Sequence, residues 1–390
     1  MINTQNPAKL FVKKFERSAY NEYYFTAIMT VEAPLYDQVE ALYAQVLHSL
    51  KQHEIQVIQE KVHGSSTVRE AFEQHRKTVY IANHLDASIP YTYVEGRPLS
   101  GQKVVSLQVW GVQLKDPNLS VRTEWDSVAP VRIWEGSGFK YVYAPCIHGL
   151  DPRQPDNEVC VHRQCSNMFE RATHVLNRYG MSFKEVVRTW IYSARLLDWY
   201  GELNRVRTEH FRKVGLYESE QRPRFPASTG IQGRFSSEEC FFDVLALDFH
   251  PESGICMTPV NASSRQEQAF DYGSSFSRGM VVEHDGNKTV YVSGTAAINS
   301  LGDSIYIGDA EMQALDTLLN IAALLEDQGG SLHDIVSGVV YCKNHEAYDA
   351  YQRAMKLLQI PSLPLVCVGA DVCRHELLIE IEVVAVVRAG

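Results

Sequence analysis

A repeat constrains this chain more than any other feature. Gln164 is followed by the helix-like "CSNMFERATHVLNRYG", then "MSFKEVV", then the strand-like "RTWIY"; Gln313 is followed by "ALDTLLNIAALLEDQGG", "SLHDIV" and "SGVVY". Tyr192 follows Gln164 at the same interval as Tyr341 follows Gln313, so the two registers agree without a gap. The flanks correspond as well. An apolar strand ("KYVYAPCI", "KTVYVSGTAAI") precedes each glutamine; a second helix ("DWYGELNRVRTEHFRKVG", "EAYDAYQRAMKLL"), a proline-led stretch ("FPASTGIQG", "LPLVCVGADV") and a closing strand ("CFFDVLALDF", "ELLIEIEVVAVV") come after. Each copy therefore reads strand, helix, strand, helix, strand. A unit of this size leaves an apolar face uncovered until it stacks on a neighbour, so the copies are expected to pack together.

A fainter third copy opens the chain. "NEYYFTAIMTV", "YDQVEALYAQVLHSLKQ", "IQVIQEKV", "STVREAFEQHRK" and "QKVVSLQVWGV" give the same order of elements at shorter spacing. Turn-rich segments at "KDPNLS" and "PESGICMTPVNASSRQ" divide the copies, giving units over 1–118, 119–255 and 256–390. With 390 residues and 45% hydrophobic content, the chain has the material for such a set of cores. In the last copy, Met312, Leu315, Leu318, Leu319 and Ala322 fall on one helical stripe expected to cover a sheet. In "LLIEIEVVAVV", Glu380 and Glu382 alternate with Ile379, Ile381 and Val383, so both acids share one strand face.

The charge of −10, with no long basic run, speaks against nonspecific nucleic-acid binding. No apolar leader or membrane-length apolar run is evident, so no membrane partner is expected, and the reading is cytoplasmic. The eight cysteines sit largely in apolar runs and are expected to be reduced. Cys146, His148, Cys160, His162 and Cys165 form a cluster of soft ligand types, but their spacing matches no standard zinc site, and no metal is expected. GxGxxG, Walker and GxSxG motifs are lacking, which disfavours nucleotide cofactors and serine hydrolysis.

From about Arg265 to Arg388, "YVSGTAAI", "GDAEMQALDTLLNIAALLEDQGGSLHDIV", "PLVCVGAD" and "LLIEIEVVAVV" resemble the Rid (YjgF) superfamily. The resemblance implies a small α/β unit that assembles as a trimer with ligand sites between units. Three copies in one chain would be that trimer made covalent: a tandem α/β (α+β) pseudo-trimer, as a monomer or low homo-oligomer. Imine-deaminating Rid proteins carry an arginine two positions before a cysteine in the proline-led loop. Here Cys367 is present as a candidate substrate contact, but Leu365 holds the arginine's place, and "FPASTGI" has no arginine either.

The tail "DVCRHELLIEIE", together with "VSGTA" and "GDAEMQ", is similar to the chorismatases, Rid-like enzymes that release pyruvate from chorismate. That resemblance implies Glu380 as the catalytic acid. It also puts Cys373 and Gly294 at positions that distinguish the 3-hydroxybenzoate-forming type. "SSRQEQAFDYGSSFSRG" resembles a further family segment, which makes Arg265 and Arg278 candidate carboxylate anchors and Tyr272 and Phe276 candidate pocket walls. Loss of an enolpyruvyl ether needs a proton donor, and a carboxyl flanked by Ile379 and Ile381 is a candidate for a raised pKa. Cys373 is a second catalytic candidate, as a nucleophile or in shaping the pocket; Arg188 and Arg207 are further candidate cations. The expected ligand is a small carboxylate, handled without metal or organic cofactor. The alternatives are hydrolysis of an enamine or imine, and non-catalytic binding of a small molecule.

Overall fold

The computed structural model describes residues 7–136, 138–150, 161–217, 223–234 and 238–388. It contains three sheets, each from one stretch of chain and each with two helices. The first comprises β1 (Ala8–Glu16), β2 (Tyr20–Met29), α1 (Leu35–Gln52), β3 (Gln56–Gly64), α2 (Arg69–Ala82), β4 (Thr92–Glu95) and β5 (Val104–Leu114). The second comprises β6 (Ser120–Trp125), β7 (Pro130–Gly136), β8 (Phe139–His148), α3 (Val161–Arg178), β9 (Val186–Ser193), α4 (Leu196–Lys213), β10 (Ala227–Gln232) and β11 (Cys240–Phe249). The third comprises β12 (Cys256–Val260), β13 (Gly279–His284), β14 (Asn287–Thr295), α5 (Ala310–Glu326), β15 (Ile335–Cys342), α6 (His345–Leu357), β16 (Leu365–Gly369) and β17 (Ile379–Arg388).

The sheet orders are β1-β2-β5-β3-β4, β10-β9-β11-β8-β7-β6 and β12-β13-β14-β17-β15-β16. In every sheet the closing strand (β5, β11 or β17) lies antiparallel between the two halves, and the proline-led strand (β4, β10 or β16) runs parallel at one edge. The architecture is thus a tandem array of three α+β units in a pseudo-trimer.

The repeated glutamine has a mechanical role in all three copies. Gln313 Oε1 accepts from Leu378 N at 2.8 Å, just before β17, and its amide donates to the carbonyls of Ile305, Tyr306 and Glu376. Gln164 Oε1 accepts from Glu239 N at 3.0 Å, just before β11. Gln38 does the same in the first copy, accepting from Lys103 N and Val104 N at the start of β5. The first helix of each unit is thereby tied to the entry of its closing strand. Ser182 with Glu185 and Ser331 with Asp334 form matching capping boxes before β9 and β15.

Each sheet packs its helices over a local core: Val39, Val46 and Phe72 in the first unit, Phe169, Leu203 and Phe242 in the second, Leu318, Val340 and Ile381 in the third. The opposite faces of the three sheets meet in one shared core that includes Tyr24, Trp110, Trp134, Trp190, Tyr192, Tyr341 and Val386. β17 explains its own pattern: Ile379, Ile381 and Val383 face the helices, which leaves Glu380 and Glu382 on the inner face where the units meet.

The α5 stripe is rotated from the sequence reading. Ala314, Leu318, Ile321 and Leu325 cover the sheet, whereas Met312 and Leu319 are exposed. The helix carries apolar residues on several sides, so the stripe read from periodicity is offset: Leu318 lies in the core and Leu315 packs against it, while the face as a whole is shared with the polar Gln313, Asp316 and Asn320. Among the described residues, no helix is long and apolar enough to cross a membrane.

Candidate functional site

The second and third units are stitched together by β10 against the residues just before β13 and the end of β14. Ala227 bridges Ser277, Ser228 N donates to Ser293 Oγ at 2.9 Å, and Gly294 N donates to Thr229 Oγ1 at 3.0 Å. Beside this seam lies a cleft. From the third unit it receives Tyr272, Phe276, Arg278, Gly294, Cys373 and Glu380. From the second it receives Tyr200, Arg207, Ser228 and Gly230.

Glu380 is held on β17 opposite Tyr341 of β15 and is only 4% exposed. Burial, reinforced by the neighbouring Glu382, pushes its carboxyl up to about 8, against a smaller opposing pull from a hydrogen bond with Cys373 and from Arg188. At neutral pH the group is mostly a neutral acid with a proton to give. The same rung in the other two units carries Phe241 (opposite Tyr192) and Ser106 (opposite His63), so among the three pseudo-equivalent positions only this one has a carboxyl.

Gly294 makes room for that acid. A Cβ there would overlap Glu380 Oε1 and stand 3.1 Å from Thr229 Cγ2. Cys373 lies against the same carboxyl, and burial followed by the nearby Glu380 pushes its thiol well up. The resting sulfur is thus a thiol that hydrogen-bonds its surroundings, a poor nucleophile in this state.

Three guanidiniums complete the cleft. Arg278 is 1% exposed, donates from Nε to Glu267 O at 3.0 Å and leaves Nη2 without a partner among the described residues. Arg207 is 2% exposed, donates to Asn204 Oδ1 at 2.5 Å and leaves Nε equally unused. Arg374 is anchored on Gly302 O at 2.6 Å. Phe276 lies between Arg207 and Arg278 at 5.5 and 5.9 Å, and Tyr272 between Arg278 and Arg374 at 5.4 and 5.8 Å. None of the three arginines forms an ion pair with a described carboxylate. Two buried guanidiniums and a half-buried third, in one cleft with an acid that burial holds toward its neutral form, make an arrangement that can accept an anion.

Two sequence candidates lie elsewhere. Arg265 is 40% exposed and pairs with Asp316 at 2.8 Å and Asn320 at 2.9 Å, fastening its loop to α5. Cys367 sits opposite Val340 on β16, against the third unit's own helix-side core, and burial pushes its thiol up to about 12. The physical reason is that each site pairs the closing strand of one unit with the proline-led strand of its neighbour. β16 faces the first unit through the Arg97–Gly369 bridge, while Gly230 of β10, opposite Ile191, fills the corresponding place in this cleft. Ser228 occupies the place two residues earlier.

Arg188 lies behind the cleft, not in it, with Nη2 bonded to Glu382 at 2.7 Å and also to Thr229. Tyr200, Ser228, Gly230 and Arg374 were not among the sequence candidates for contact with a ligand. For Tyr200 the one signal was "LLDWYGE", where a break in α4 at Trp199 (φ −148°, ψ 22°) precedes it. Of the cysteine and histidine cluster, Cys165 packs in the second core, His162 pairs with Glu202 and Cys146 Sγ faces Tyr91 O; Cys160 lies outside the described residues.

The family model described as endoribonuclease L-PSP matches residues 267–387. The 3-aminoacrylate deaminase RutC of Acinetobacter baylyi is 30% identical over 97 residues, which is 25% of this chain and 77% of the relative. The chain belongs to the Rid (YjgF) family. At the level of fold, a chorismatase structure superimposes with a TM-score of 0.62 at 16% identity, covering 95% of this chain and 100% of that one. This Rid protein therefore shares its three-unit architecture with that chorismatase, and its family-matching third unit supplies the acid of the cleft while the second unit closes it.

Proposed function

We propose that this Rid protein is an enzyme of the chorismatase type, acting through its own side chains on chorismate or a related cyclic enolpyruvyl carboxylate. The observation that carries the reading is a buried Glu380, its carboxyl pushed up by burial, in one cleft with three arginines that have no acid partner among the described residues. An enolpyruvyl ether of a ring carboxylic acid has two carboxylates. Arg278, Arg207 and Arg374 supply the planar forks that suit them, and Tyr272 and Phe276 supply apolar walls for the ring.

In the reaction, Glu380 delivers its proton to the methylene carbon of the enol ether. The resulting oxocarbenium weakens the bond from ring carbon to ether oxygen; the neighbouring ring hydroxyl attacks that carbon while returning its proton to the Glu380 carboxylate, and the three-carbon fragment leaves with the ether oxygen as pyruvate. The epoxide so formed opens at the carbon that first bore the hydroxyl, which loses its hydrogen as the ring becomes aromatic, and the oxygen stays at the 3-position as the phenol. Chorismate balances as one pyruvate plus one hydroxybenzoate with no water consumed; capture of water instead gives a dihydroxylated diene acid. Burial of the acid and the presence of Gly294 and Cys373 support the first outcome, with 3-hydroxybenzoate as the favoured product.

The test is incubation with chorismate, following pyruvate and separating the ring products, with Glu380→Gln alongside. Pyruvate with 3-hydroxybenzoate, lowered at least about 100-fold in the variant, is the expected result. A folded protein that releases no pyruvate would sink the proposal. A second reading, hydrolysis of an enamine or imine acid, draws on the likeness to the Acinetobacter deaminase. Ammonia release from such a substrate would favour it; the lack of arginine at Ser228 and Leu365 weighs against it.

A further inference from the structure

Where the inner faces of the three sheets meet lies a second chamber that shares no lining residue with the cleft. Its walls are Tyr24, Trp110, Trp190 and Tyr291, and its charged lining includes Lys61 and Arg188. It is not sealed, because Gln59, Ser337 and Val384 on its lining are only partly buried.

Two closing strands give the chamber a polar lining side chain, Gln108 opposite Lys61 and Glu382 opposite Val339; the equivalent residue of the other closing strand, Asp243 opposite Trp190, is set back from the lining. Each reaches toward a neighbouring unit. Glu382 accepts from Arg188 at 2.7 Å, Gln108 donates to Ser337 Oγ at 2.8 Å, and Asp243 faces Lys61.

The two acids are saturated. Glu382 also accepts from Tyr341 at 3.1 Å, and Asp243 accepts from Cys146 N, Thr92 and Tyr143 at 2.8 to 3.0 Å. The two cations are not. Arg188, 2% exposed, has Nη1 without a partner among the described residues. Lys61, 5% exposed, lies 3.8 Å from Asp243, beyond hydrogen-bond distance, and 4.1 Å over the Trp190 ring. A buried donor left unused costs free energy, so Arg188 Nη1 is open to a further acceptor, with Lys61 held only at longer range nearby and aromatic surface alongside.

We propose that this axial chamber is a second binding site, for a small aromatic carboxylate whose oxygens meet Arg188 Nη1 and Lys61 Nζ and whose ring packs among Trp110, Trp190, Tyr24 and Tyr291. The proposal does not depend on what the cleft turns over. It does connect the two places, since the Arg188 guanidinium also bonds Thr229, which accepts from Gly294 N in the cleft.

The test is titration of the full chain with benzoate, read by tryptophan fluorescence, with benzamide as the uncharged control. The expected result is a saturable change with benzoate and at least tenfold weaker binding of benzamide. Val339→Phe, which fills the chamber, should abolish the change, and Arg278→Gln in the cleft should leave it intact. Should Val339→Phe fail to fold, Arg188→Lys decides: it keeps a cation beside Glu382 but removes the spare nitrogen, and binding should weaken at least tenfold. No saturable change, equal binding of benzamide, undiminished binding in Arg188→Lys, or loss of binding in Arg278→Gln would each overturn the proposal.

Discussion

Glu380 is a carboxyl whose surroundings disfavour its charge, and both its chemistry and its energetic cost follow from that. Its folded pKa, about 8, lies above the ordinary carboxyl value, so the proposed acid is present below that pH and lost above it. Turnover should therefore decline as pH rises through about 8. The sign for stability is the same: between the ordinary pKa and about 8 the folded state holds a proton that the unfolded chain has released, so stability falls with rising pH. Glu380→Gln removes this dependence. Urea unfolding should show the variant gaining on the parent from pH 5 to pH 8.5, by on the order of 4 kcal/mol at most. Gly294→Ala tests the space beside the acid. Its methyl competes with the flexible end of Glu380, so the rate of pyruvate release should drop tenfold or more while the melting temperature moves little.

At the scale of elements, the glutamines carry the fold's internal logic. Gln313 satisfies four backbone groups around the entry of β17, the strand that presents Glu380. Gln313→Met keeps the helix but strands those groups, so denaturant unfolding should show a loss of about 2–4 kcal/mol. These glutamines were legible as a repeated interval, though what they bond was not. Spacing reports that two places are equivalent and says nothing of which carbonyls lie nearby. The short edge strands β4, β6 and β12 were also missed and the face of α5 was offset, because short polar-flanked strands and a helix apolar on several sides carry no decisive period.

At the scale of the whole molecule, three helix-covered cores share one central core of aromatic rings. Because each sheet completes its inner face only against the other two, the chain should unfold in a single calorimetric transition, with agreement between calorimetric and van't Hoff enthalpies. Separate transitions would mean that the units are stable alone and that the shared core is secondary.

The sequence by itself determined the repeated α/β unit, the number of copies and the common face of Glu380 and Glu382, because these are local properties of spacing and alternation along one strand or helix. It also contained Arg278, Tyr272, Phe276, Gly294 and Cys373 as a set, through resemblance. Only the tertiary structure decided which neighbour closes the cleft, and therefore that β10 with Ser228 and Gly230 lines it, that Arg207 and Tyr200 enter from α4, and that Arg265 and Cys367 serve the third unit's own packing. The pairing of one unit's closing strand with another's edge is a matter of docking between surfaces far apart in the chain. No periodicity within either strand records it.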